Sequence, residues 1–141
     1  MTPPDDQQRA QFVRCIEAHR AAEAPFRDAI AAMDAAVDRW QGDPTDENHK
    51  LARVAMGEAI ESMATYIGHA RNAASTGEAR WLRPAEEVAQ MWHVIADLLI
   101  EQGRALVYLL ELERTWLPIE KTASLPLRPA RLDSIRTRWP E

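Results

Sequence analysis

From Glu86 to Thr115 the polar side chains fall on one line: Glu86, Gln90, His93, Asp97, Glu101, Arg104, Tyr108, Glu111, Thr115. The steps between them are 4, 3, 4, 4, 3, 4, 3 and 4, as one face of an α-helix requires. Nearly everything else from Val88 to Leu112 is apolar. A helix packed on two neighbours needs an apolar stripe roughly 100–140° wide, whereas this one is apolar over most of its circumference. Such a segment is a long helix, and two neighbouring helices do not suffice to cover it. It does not span a membrane, because "MWHVIADLLIEQGRALVYLLEL" carries His93, Asp97, Glu101, Gln102 and Arg104.

Two more helical stretches precede it. The first is expected from about Asp5 to Trp40, with an apolar seam through Phe12, Ile16, Phe26, Ile30, Met33, Val37 and Trp40. "QGDPTDE" ends it: Gly42 suits a helix terminus, Pro44 forbids continuation, and Thr45 with Asp46 and Glu47 opens the next. The second is expected from about Thr45 to Ala74, stopping at "STGEARWLRP". Its inner face is Met56, Ile60, Met63, Ile67 and Ala70; its wet face follows Glu58, Glu61, Thr65 and Asn72. The third starts near Pro84, with Glu86 and Glu87 complementing the helix dipole, and ends near Leu117 before Pro118. Short connections imply antiparallel neighbours. The expected fold is therefore all-α: an antiparallel bundle of three long helices over 1–118, the first kinked at Pro25. Residues 119–141 form a basic, Pro-containing tail or short fourth helix packing on the bundle or on a partner.

Composition narrows the classes of function. The 17 basic and 22 acidic residues give a net charge of −5, which disfavours an affinity built on phosphate neutralisation and hence a nucleic-acid partner. Cys15 is the only cysteine, so no intrachain disulfide can staple the fold. "MTPPDD" lacks the apolar run of a signal peptide, and the expected compartment is the cytoplasm.

Two rungs of the first helix's seam are polar, His19 and Glu23, and Pro25 follows at once. Proline removes one backbone donor and crowds the carbonyl four residues back, so a bend is expected there. His19 and Glu23 are i,i+4 neighbours able to hydrogen-bond, and a polar layer of this type can fix register at some cost in stability. Antiparallel pairing brings together residues whose numbers add to about 86 for helices 1 and 2, and about 159 for helices 2 and 3. His19 would then lie level with His69 and His93. With Glu23, these residues are the alternative reading: a site for a divalent transition metal or a small ligand, joined by Tyr66, of the kind built into ferritin-like bundles. Against it, His93 falls on the wet stripe of helix 3, His69 lies beside the wet stripe of helix 2, and no Glu-x-x-His pair occurs.

Other motifs add less. Trp40, Gln41 and Gly42 lie in the turn of a helical hairpin and resemble the small W-x-G proteins of type VII secretion, which would imply an exported interaction protein. A third long helix departs from that hairpin, and no Tyr followed four residues later by Asp or Glu comes after helix 2. His49 sits in a first helical turn and reads as solvated. Catalytic residues: none are legible, as there is no phosphate-binding glycine loop and no nucleophile elbow. The expected function is therefore a non-catalytic interaction protein, as an adaptor, chaperone-like, immunity or regulatory subunit, without a cofactor. It would meet a protein partner or a second copy of itself through helix 3 and the tail. Met91, Leu98, Leu112, Leu132, Ile135 and Trp139 are the candidate contact residues.

Overall fold

The computed structural model describes residues 6–79 and 82–114. They form three helices, α1 (Asp6–Gly42), α2 (Asp46–Glu78) and α3 (Ala85–Arg114), and no strand occurs among the described residues. The all-α three-helix bundle is thus the observed fold. None of these helices is long and apolar enough to cross a membrane. The tail, including Leu132, Ile135 and Trp139, lies outside the described residues.

Local chemistry sets the helix ends. Thr45 is extended (φ −99°, ψ 161°), and its Oγ1 accepts the backbone N–H of Asn48 at 3.1 Å, an N-cap bond. Asn48 Nδ2 donates to the Asp43 carbonyl at 2.8 Å, bracing the α1–α2 turn. The start of α3 is set by the Val88 N–H bonding the Pro84 carbonyl at 3.1 Å, and Arg83 pairs with Glu87.

α1 continues through Pro25, whose ring is exposed. α2 runs four residues beyond the expected stop at Ala74 and ends at Glu78. Tertiary packing overrides the weak helix formers there. Gly77 is buried so closely that an added Cβ would sit 2.8 Å from Phe12 Cε1, and Thr76 Oγ1 lies 3.6 Å from Cys15 Sγ.

α2 is the middle element: it packs along both other helices, while the backbones of α1 and α3 barely approach. Pairs facing across α1 and α2 (Phe12 with Gly77, His19 with Tyr66, Trp40 with His49) have numbers adding to 85–89, close to the 86 expected. Across α2 and α3, His49 with Leu112 and Ile60 with Gln102 add to 161 and 162, against 159. The core runs through Phe26, Ile30, Met33, Val37 and Trp40 of α1, then Met56, Met63, Tyr66 and Ile67 of α2. From α3 it takes Val94, Ile95, Leu98, Tyr108 and Leu112. Buried alanines of α2 (Ala52, Ala59, Ala70, Ala73, Ala74) allow its neighbours' side chains close to its backbone.

Candidate functional site: the free face of the third helix and the buried histidine layer

At 100° per residue, the apolar positions of α3 from Val94 to Ile100 cover an arc of roughly 240°. About half of it faces α1 and α2. The other half is open: Leu99, Ile100, Leu106, Val107 and Leu110 are exposed by 46%, 54%, 44%, 51% and 62%. Ala96 and Gly103 lie between them, also exposed, and no charged residue interrupts the strip. It continues toward the start of α3 through Ala89 and Trp92, which help to line an open hollow of about 500 Å³ with Val88 and Arg83. Five large aliphatic side chains on one strip form a patch of the sort that monomeric soluble proteins rarely expose.

This corrects the choice of contact residues on α3. Met91, Leu98 and Leu112 are 4%, 1% and 0% exposed, so they belong to the bundle's own core and not to a partner surface. The polar stripe locates the wet edge of the helix, but leaves open which edge of the wide apolar arc turns toward α2. The residues left outside are the neighbours of those chosen: Leu99 beside Leu98, Leu110 two before Leu112. Tyr108 departs from its stripe and is buried, its hydroxyl 3.5 Å from the Gln41 amide nitrogen that donates to it.

The polar layer of α1 is closed over. His19 is 2% exposed and stacks on Tyr66, ring centroids 4.5 Å apart; Phe26 stacks on Tyr66 in turn at 4.8 Å. Burial is the chief reason that the His19 pKa falls to about 4; the Glu23 carboxylate opposes it, and His69 and Arg20 add to the fall. The imidazole is neutral at pH 7. Burial, then Glu23, pushes the Tyr66 phenol well above its usual range, so it too is neutral. Glu23 Oε1 accepts Arg27 Nε at 2.9 Å and pairs with Arg27 Nη2 at 2.8 Å. His93 is exposed on the wet stripe of α3, and His69 is half-buried. Among the described residues no three His, Cys, Asp or Glu side chains come together as a metal would need. Glu23 and His69 are near enough for their charges to act on His19, and His93 does not join them. Beside this layer, where Pro25 sits, a shallow groove of about 520 Å³ runs between Ala22, Pro25 and Ala29 of α1 and Glu58, Glu61 and Thr65 of α2.

His49 is buried, not solvated. It lies beside Trp40 (centroids 5.7 Å apart), and its Nε2 is 2.7 Å from the Leu112 carbonyl. A carbonyl only accepts, so Nε2 carries the proton. Burial lowers the pKa, and the bond to Leu112 partly opposes that. The side chain ties the start of α2 to the last turns of α3, which is an anchoring role. No protein-family model, curated protein or solved structure matches the chain, so these side chains and their geometry are what speaks to its function.

Proposed function

We propose that the chain is a non-catalytic interaction protein whose working surface is the outer face of α3, an adaptor, chaperone-like, immunity or regulatory subunit acting by helix-on-helix contact. One observation carries this reading: five large aliphatic side chains, each about half exposed, share one uncharged strip. Fully burying such a side chain is worth about 1.5–3 kcal/mol, so covering the remaining half of five yields roughly 5 kcal/mol before the costs of association. The flat, elongated strip suits an amphipathic helix laid along it. The histidine layer then holds α1 against α2, and the His49 anchor holds α3 in place, rather than performing chemistry.

The test is site-specific photo-crosslinking in the native cell. A benzophenone side chain at position 107 or 99 is expected to give discrete protein adducts, and one at position 58, on the wet face of α2, none. A folded chain that forms no adduct at 107 or 99 refutes the reading.

A further inference from the structure

We propose that the resting occupant of this face is the chain's own segment 129–139, laid back antiparallel along α3 as a strap that a partner must displace. The inference rests on reading the face as an interaction surface, and it adds how that surface is regulated.

The segment is tethered within reach. α3 is described as far as Arg114, one turn past Leu110, so the chain leaves the bundle at the very end of the open strip. Pro118 forbids the helix from running straight on. Residues 115–128 then connect α3 to the segment, and 14 residues of flexible chain have an end-to-end distance of roughly 20 Å. Setting a helix antiparallel beside α3 asks for about 10 Å at the turn, the spacing of two packed helices. On so short a tether the segment meets the face at an effective concentration of the order of millimolar. A separate protein at about 1 µM must bind roughly a thousandfold more tightly to take its place.

The side-chain pattern fits the strip. "PARLDSIRTRW" carries Leu132, Ile135 and Trp139 at steps of 3 and 4, one apolar face of a short helix that opens with Pro129. At 1.5 Å per residue it would be about 16 Å long, against about 21 Å for the strip from Ala96 to Leu110. A helix of three turns is marginal alone in water, so this one needs a surface to fold on. Its three apolar side chains also leave part of the strip open, where a longer amphipathic helix gains contacts that the segment does not make. That difference lets a partner displace it.

Charge favours the same pairing. Residues 119–141 hold five basic and three acidic side chains, and residues 1–118 hold 12 and 19, so a segment of +2 follows a bundle of −7. Asp97 and Glu113, both exposed, border the strip on opposite sides, and Arg104 beside it is already paired with Glu101 at 2.8 Å. Arg131 and Arg138 flank one side of the segment's apolar face and Arg136 the other, so both borders meet the opposite charge.

The experiment is photo-crosslinking of the purified full chain at about 1 µM, where the tether outweighs encounter between chains. A benzophenone side chain stands at position 107, and nitrogen-15-labelled chains are mixed equally with unlabelled ones. Peptide masses are expected to join position 107 to residues 119–141, both halves of each adduct carrying the same isotope. Ile135→Asp combined with Trp139→Asp, checked for folding by circular dichroism, should cut that adduct roughly tenfold or more, because two of its three apolar anchors are lost. In the native cell the same double variant should raise the yield of adducts between position 107 and other proteins. Adducts of mixed isotope, which join two copies, overturn the strap, and so does an intrachain adduct indifferent to the double variant. Absence of any adduct from 107 to residues 119–141 overturns it too, and leaves the open interaction surface standing. Equal capture of other proteins by wild type and double variant overturns the regulatory role. An intrachain adduct with no other protein captured in the cell, even by the double variant, overturns the interaction reading and makes the segment a permanent cover.

Discussion

His19 should make the fold sensitive to mild acid, by an amount that can be worked out. Its pKa is about 4 in the folded chain, against 6.5 when unfolded. Between those values the unfolded chain binds more protons, so stability is fully present above pH 6.5 and is lost as pH falls toward 4. From pH 7.5 to pH 5 the loss from this one side chain is about 2 kcal/mol. With a urea slope of about 2 kcal/mol per molar, the midpoint should fall by about 1 M. The imidazole stacks on Tyr66, itself backed by Phe26, and the charges of Glu23, His69 and Arg20 act on it.

Urea unfolding at fixed chain concentration, at pH 7.5 and pH 5, measures the effect; His19→Leu is the control. The variant keeps an apolar body against the Tyr66 ring but has nothing to titrate. It should lose about 2 kcal/mol less than wild type over that interval. What remains belongs in part to His49, whose lowered pKa acts with the same sign. If wild type is flat over this range, or if His19→Leu keeps the full slope, the closed apolar setting drawn here for the imidazole is mistaken.

Three further substitutions probe how the frame is held. Thr45→Ala removes the bond to the Asn48 N–H and should cost about 1 kcal/mol by urea unfolding, as N-cap losses do. His49→Leu leaves the Leu112 carbonyl without its partner and should cost about 1–3 kcal/mol. Amide exchange should then quicken in the last turns of α3 more than in α1. Gly77→Ala should destabilise by about 1 kcal/mol although alanine is the better helix former, because its Cβ meets Phe12 Cε1 at 2.8 Å and Arg83 Cγ at 3.2 Å. Combined with Phe12→Leu, the same change should cost measurably less, a coupling that a double-mutant cycle reads directly.

Much of this frame is legible in the residues alone. Pro44, Thr45 and the apolar spacing of α1 and α2 place two helices and their register to within a few residues, because each signal acts over one or two turns. The end of α2 is not legible. "STGE" reads as a stop, and only the buried contact of Gly77 with Phe12, some 65 residues distant, carries the helix through it. His49 fails for the same reason. First-turn histidines are mostly wet, but this one finds the Leu112 carbonyl, 63 residues along the chain. On α3, the width of the apolar arc announces an uncovered face, yet which half faces inward depends on how the helix is rolled against α2. A roll of one residue exchanges Leu98 for Leu99.

The energetics of the two halves of α3 bear on where function resides. Trp40, Tyr66 and Leu98 are held by contacts within the chain, so replacing them tests folding and little else. His19 and Glu23, polar as they are, are engaged within the bundle: one ring lies flat on Tyr66, and one carboxylate is held by Arg27. The outer strip of α3 is different. Surface substitutions away from such features usually move stability by less than about 0.5 kcal/mol, so the described chain loses little if Leu106 or Val107 becomes polar. Polar residues there would also spare it an exposed patch that invites aggregation. A strip that the packing of the described residues does not need, and that carries a solubility cost, has its explanation in the interaction proposed above. A second surface laid over it supplies that explanation.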